Sequence, residues 1–142
     1  MIFKTKHEII YCKDDSYKKE FDNENYYYNK RFGNNESYFI SDACYYRGYL
    51  VHREDGPAIE VIDNSKCWFL NGIRHRTDGP AIEFYDGGKV WYLNGKRHRD
   101  NGPALEYSNG GKEWYLNGKY YTSRGYWKLM NLKMKKKVLY EV

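Results

Sequence analysis

The chain has 142 residues, 41% hydrophobic and 30% charged, with 17 Tyr, 4 Trp and a net charge of +5. That length suits one domain with a stable core, and an aromatic content of 19% favours strands and excludes a disordered chain. No apolar run approaches 18 residues and no leader pattern opens the sequence, so neither a membrane span nor secretion is expected; an intracellular (host-cytoplasmic) or virion setting is.

Residues 1–37 read as an irregular N-terminal segment with one or two strands. Ile2, Phe3, Ile9, Ile10 and Tyr11 supply apolar positions before the polar run Lys13-Asp14-Asp15-Ser16, and an Asn- and Tyr-rich stretch follows to Ser37. Regular structure is expected from Tyr38: a strand at Tyr38-Phe39-Ile40, a tight turn at Ser41-Asp42, and a strand at Ala43-Cys44-Tyr45-Tyr46.

A 23-residue repeat then governs the chain to Tyr121. Trp68-Phe69-Leu70-Asn71-Gly72, Trp91-Tyr92-Leu93-Asn94-Gly95 and Trp114-Tyr115-Leu116-Asn117-Gly118 recur at that interval, as do His52-Arg53, His75-Arg76 and His98-Arg99, and Pro57-Ala58, Pro80-Ala81 and Pro103-Ala104. A fixed interval of this size marks stacked supersecondary units, each burying itself against its neighbours. Within a unit, Ala81-Ile82-Glu83-Phe84-Tyr85 alternates as a strand, Asp86-Gly87-Gly88 turns, and Lys89-Val90-Trp91-Tyr92-Leu93 returns. Asn94-Gly95 suits a type I′ turn, and Asp78-Gly79-Pro80 gives a third reversal, with Pro withholding a donor. Three reversals leave no room for a helix. Tyr45 takes the Trp position of a first, degenerate unit, with Gly48 at the place of Asn71, so residues 38–121 form a β-hairpin repeat domain of about three and a half units.

Residues 122–142 change character. Thr122 or Ser123 suits an N-cap, and Tyr126, Trp127, Met130 and Met134 fall at helical spacing, which predicts an amphipathic helix capping the last unit, with Val138-Leu139-Tyr140 returning as a short strand. Six basic residues against Glu141 give this segment a net charge of +5, so the rest of the chain balances. The fold class expected is mainly β: tandem hairpins stacked into an elongated, twisted antiparallel sheet, with a C-terminal capping helix.

The motif Trp-Tyr-Leu-Asn-Gly-x-x-His-Arg-x-Asp-Gly-Pro-Ala resembles MORN-variant repeats over about residues 44–119. The resemblance implies short hairpins stacked into a curved sheet that serves binding or scaffolding, in proteins of phage, giant viruses and bacteria. The His-Arg-x-Asp-Gly-Pro segment departs from the typical MORN unit, so lipid binding is not carried over.

The repeat interval also limits chemistry. Two strands per unit put equivalent residues about 10 Å apart, too far for His52, His75 and His98 to share a metal whose bonds are near 2.0 Å. They read as structural histidines bonding near the Asp-Gly-Pro turn. Arg53, Arg76 and Arg99 precede Asp55, Asp78 and Asn101 by two residues and are expected to pin that loop, or else to form a ladder facing an acidic partner. Glu60, Glu83 and Glu106 are too widely spaced for paired-carboxylate catalysis and are expected to pair across the hairpin. Cys12, Cys44 and Cys67 read as reduced, small apolar residues, the latter two at one repeat position. No catalytic residue, metal site or cofactor is expected.

The partner-binding candidates lie on the two sheet faces. Trp68, Trp91 and Trp114 share one with Leu70, Leu93 and Leu116, expected to pack as core or to grip a partner; Phe69, Tyr92 and Tyr115 occupy the other. With Arg53, Arg76 and Arg99 they point to a non-enzymatic protein-binding module. A narrower form is a phage or viral protein that inhibits a host defence component; alternatives are a virion or scaffold protein, or a homo-oligomer burying one face. Another alternative, less favoured, is nucleic-acid or anionic-surface binding through Lys133, Lys135, Lys136 and Lys137.

Overall fold

The computed structural model describes residues 1–4, 6, 8–13, 27–28, 37–40, 43–46 and 49–140. Much of the Asn- and Tyr-rich stretch, the turn at Ser41-Asp42 and Gly48 lie outside them. The fold is mainly β, with a large antiparallel sheet and, among the described residues, one C-terminal helix. That helix is not long and apolar enough to cross a membrane.

The large sheet has nine strands: β1 (Ile2–Lys4), β2 (Glu8–Tyr11), β7 (Ile59–Val61), β8 (Lys66–Cys67), β11 (Ile82–Glu83), β12 (Lys89–Val90), β15 (Leu105–Glu106), β16 (Lys112–Leu116) and β17 (Lys119–Tyr121), in that spatial order. Its register explains the hydrophobic pattern. Ile10, Ile59, Cys67, Ile82, Val90 and Leu105 stand opposite one another from strand to strand, and all are buried. One residue away, Ile9, Glu60, Lys66, Glu83, Lys89, Glu106 and Lys112 form the neighbouring row. Because side chains alternate across a strand, one face is an apolar stripe and the other a ladder of alternating Glu and Lys, each pair favourable across its strands.

The two middle units carry a second hairpin outside that sheet, whereas in the last unit β16 runs straight on to pair with β17 within it. β9 (Phe69–Leu70) pairs with β10 (Ile73–Arg74), and β13 (Tyr92–Leu93) with β14 (Lys96–Arg97), in separate two-stranded sheets. The strand assignment breaks at Trp68 and at Trp91, and Phe69 and Tyr92, two residues after Cys67 and Val90, continue the apolar row. The apolar row is thus the face on which the core is built. Asn71, Asn94 and Asn117 adopt φ of 50–51° and the following glycines 76–81°, the pair of positive values that a type I′ turn needs.

The first unit is assembled differently from the sequence expectation. Tyr11, not Tyr45, takes the Trp position: Tyr11 N–H donates to Ala58 O as Trp68 N–H donates to Ala81 O, and His52 N–H donates to Tyr11 O as His75 N–H does to Trp68 O. Cys12 bridges to Val51, as Phe69 pairs with Arg74. Cys44 therefore does not share the repeat position of Cys67, which Ile10 holds. Residues 14–49 stand where later units have a two-residue Asn-Gly turn. They include β3 (Tyr27–Tyr28), β4 (Ser37–Ile40), β5 (Ala43–Tyr46) and the start of β6 (Tyr49–Leu50), a four-stranded sheet of its own. The boundary expected at residue 37 accordingly separates nothing in space, since β1 and β2 belong to the main sheet.

The C-terminal helix, α1 (Ser123–Tyr140), begins where Thr122 Oγ1 accepts the Gly125 N–H at 3.2 Å, an N-cap as expected. It continues through Val138-Leu139-Tyr140, so the expected closing strand is absent: no neighbouring strand edge claims those residues, and the helical bonds run on. Its packed face is Tyr126, Met130 and Leu129, set against Trp114, Leu116 and Tyr121. Trp127 and Met134 turn outward instead, because the helix is seated on one end of the sheet only at its first two turns.

Candidate binding clefts

Three loops repeat the sequence His-Arg-x-Asp/Asn-Gly-Pro, and each is locked by its own arginine. Arg53 Nε–H donates to Asp55 Oδ1 (2.8 Å), while Nη1–H donates to Glu60 Oε1 (2.8 Å) and Pro57 O (3.3 Å). Arg76 does the same with Asp78 (2.8 Å), Glu83 (2.9 Å) and Pro80 O (3.1 Å), and Arg99 with Asn101 (3.1 Å), Glu106 (2.8 Å) and Pro103 O (3.1 Å). The guanidinium groups also lie over aromatic rings, Arg53 on Tyr11 at 3.9 Å, Arg76 on Trp68 at 4.0 Å and Arg99 on Trp91 at 3.8 Å. These hydrogen bonds from arginine hold the Asp55 and Asp78 carboxyls below the usual carboxylate range.

The glycine of each loop is required by this lock. A Cβ on Gly79 would stand 2.9 Å from Arg76 Cζ, and Gly56 and Gly102 are equally tight against Arg53 and Arg99. Gly79→Ala is expected to displace a guanidinium held by three bonds and to cost about 1–2 kcal/mol; a chemical melt of the variant checks it, and an unchanged midpoint would contradict the lock.

The histidines bind forward rather than to their own turn. Asn71, Asn94 and Asn117 N–H donate to Nδ1 of His52 (2.9 Å), His75 (3.1 Å) and His98 (3.0 Å), each 19 residues earlier. Each of these three histidines thus ties its unit to the next unit's Asn-Gly turn, and an accepting Nδ1 places the proton on Nε2, which faces Glu54 at 3.5 Å for His52 and Asp100 at 3.3 Å for His98. Burial, aided by the Lys13 charge, lowers the His52 pKa below its ordinary 6.5 against the pull of Glu54. The unfolded chain therefore takes up a proton at higher pH than the folded one. Stability from His52 is intact above about pH 6.5 and falls as the pH drops through the lowered value. Denaturant melts at pH 7.5 and 5.5 are expected to show that loss, and His52→Asn, which keeps an acceptor but cannot titrate, is expected to reduce it. An equal loss in the variant would exclude His52 as the source.

Between successive loops lie two equivalent open clefts. The first, of about 580 Å³, has Trp68 and Leu70 as its floor and Arg53–Pro57 and His75–Asp78 as walls. The second, of about 650 Å³, has Trp91 and Leu93 below and Arg76–Pro80 and His98–Asn101 beside it. Their rims are acidic: Glu54, Asp55, Asp78 and Asp100 are the exposed charges, whereas the arginines are more than three-quarters buried.

The structure sorts the sequence candidates accordingly. Trp68 and Trp91 line the clefts; Trp114 lies under α1. Phe69 is 0% exposed and belongs to the core, whereas Tyr92 is half-buried and lines a smaller cleft of about 200 Å³ with Phe84, Val90 and Leu105. Tyr115 hydrogen-bonds Glu113 (2.9 Å) and accepts from Arg97 (3.2 Å). Arg53, Arg76 and Arg99 are occupied inside their loops, the first of the two arrangements expected of them, rather than aligned as a ladder for an acidic partner. Lys133, Lys135, Lys136 and Lys137 lie on an exposed stretch of α1 and line neither cleft. Missing from the sequence reading were Tyr11 and the acidic rim. The pattern Ile10-Tyr11-Cys12 beside Cys67-Trp68-Phe69 was the available signal for the first.

Cys12, Cys44 and Cys67 are free and buried, and burial pushes each thiol up to about 12. Among the described residues no group of three or more His, Cys, Asp or Glu is arranged to hold a metal. No family model, curated protein or solved structure matches this chain.

Proposed function

We propose that this chain is a non-enzymatic protein-binding repeat module that receives its partner along the two clefts floored by Trp68-Leu70 and Trp91-Leu93. One observation carries the reading: the same half-apolar cleft is built twice side by side, with an indole floor and an acidic rim, and stands open. Indole rings in concave sites are typical binding anchors, and the exposed carboxylates favour a basic partner. The arginine side chains of the loops are spent on the loops themselves, which supports binding over catalysis. Three unpaired, buried cysteines suit a reducing compartment.

Capture of partners from the native host with the wild type, with the Leu70→Glu/Leu93→Glu double variant, and with a chain lacking residues 131–142 tests this. Loss of partner only in the double variant is expected. Retention there, with the fold intact, would remove the reading.

A second reading, binding of nucleic acid or an anionic surface through the tail, draws on one observation: residues 131–138 are exposed throughout. It predicts salt-sensitive binding that disappears when the tail is removed. The repeat signature also carries the proposal of a MORN-variant module and, more narrowly, of a phage or viral inhibitor of a host defence component. Unchanged infection of a defended host expressing the protein would exclude the inhibitor.

A further inference from the structure

A third copy of the cleft exists, and what fills it specifies the other two. Trp114 and Leu116 repeat the floor, and the Arg99–Pro103 loop repeats the wall, but the space is taken by α1. Tyr126 is 0% exposed there; its hydroxyl donates to Arg99 O at 2.6 Å and accepts the Gly102 N–H at 3.1 Å. Met130, one turn on, covers Leu116, and both are buried. In the two earlier copies the matching groups are Arg53 C=O with Gly56 N–H and Arg76 C=O with Gly79 N–H. These four line the open clefts and have no hydrogen-bond partner among the described residues. Leu70 and Leu93 are half-exposed where Leu116 is covered, and Gly56 and Gly79 are half-buried where Gly102 is buried.

We propose that each open cleft receives a tyrosine side chain from a basic segment of a partner protein, its hydroxyl bridging the loop's Arg C=O and Gly N–H as Tyr126 does in the third. The partner segment carries an apolar residue one helical turn after the tyrosine, in the place of Met130, and lysine or arginine beside it. Charge supports that choice: Glu54, Asp55, Asp78 and Asp100 rim the open clefts. The clefts stand about 10 Å apart, close to the width of one helix, so two such segments fit side by side. This inference rests on the protein-binding reading and names the chemistry of its partner.

The test uses the full-length chain and a fluorescein-labelled peptide with the sequence of residues 122–138, followed by anisotropy. Saturable binding at two peptides per chain is expected. It should weaken about tenfold when the peptide's tyrosine is replaced by phenylalanine, which leaves one donor and one acceptor unmet. It should vanish with Leu70→Glu/Leu93→Glu and, as an independent check on a variant that leaves the floor untouched, with Thr77→Trp, which fills both clefts from their shared wall. Equal binding of the phenylalanine peptide, or of a scrambled peptide of the same composition, would overturn the tyrosine rule. So would binding that persists in both cleft variants, which would mean that the peptide only exchanges with α1. If the peptide fails while partner capture still depends on Leu70 and Leu93, the tyrosine rule falls and the protein-binding reading stands; if capture is insensitive as well, both fall.

Discussion

Arg76→Ala is expected to lower stability by about 2–3 kcal/mol, a fall in midpoint of roughly 6–10 °C for a chain of this size. The guanidinium joins five features of one unit: Asp78, Pro80 O and Glu83 by hydrogen bonds, Trp68 by stacking, and Gly79 by close approach. They are not equal. Asp78 is 80% exposed, so its bond contributes little in water, and Asp78→Ala is expected to shift the melt far less than Arg76→Ala. Glu83 is about one-third exposed and would lose its principal cation, and the indole face would be uncovered. Arg76→Lys keeps the charge but cannot fork between Glu83 and the loop, so it should recover less than half of the loss. Thermal melts of the three variants check the ranking, and an alanine variant melting within about 2 °C of wild type would contradict the lock.

Tyr126→Ala is expected to cost more, about 4 kcal/mol, because it empties a fully buried aromatic site at the end of a stack. Tyr126→Phe keeps the ring but leaves Arg99 C=O and the buried Gly102 N–H unmet, for about 1–2 kcal/mol. In a stacked array each unit leans on its neighbour, so losing the terminal cover should loosen α1 and β16–β17 before the rest. Circular dichroism of Tyr126→Ala should therefore lose its helical signal below the temperature at which the strand signal melts. Simultaneous loss of both would show that α1 is no separate cap.

The parts of this fold that depend on neighbours in sequence were legible in advance. Asn94-Gly95 demanded positive φ at both residues, and the structure places both there; Thr122 stood three residues before an N–H it could cap. Periodicity likewise marked Trp91, Arg99 and Pro103 as equivalent to Trp68, Arg76 and Pro80. What periodicity cannot say is which side of a strand is covered. Phe69 follows Cys67 by two residues and so shares its face, but that this face and not the Trp68 face is buried is decided by tertiary packing. Tyr11 was hidden for a related reason: residues 14–49 interrupt its unit, and only the pairing of β2 with β7 reveals the equivalence. Histidine's partner lay 19 residues ahead, beyond any local motif.

The cleft reading also required knowing what the arginines were doing. Three evenly spaced guanidinium groups suggest an anion-binding ladder until each is found folded over its own glycine. Once they are spoken for, the exposed rim charges are carboxylates, which favour a basic partner.

Site-directed photo-crosslinking in the native host addresses that surface most directly. A benzophenone amino acid at position 70 or 93, in the cleft floors, is expected to give a discrete crosslinked species. The same group at Ile62 or Tyr85, exposed by 70% and 72% at the tips of the main hairpins, is expected to give none. Crosslinks from positions 62, 85 or 132 with none from 70 and 93 would contradict the account.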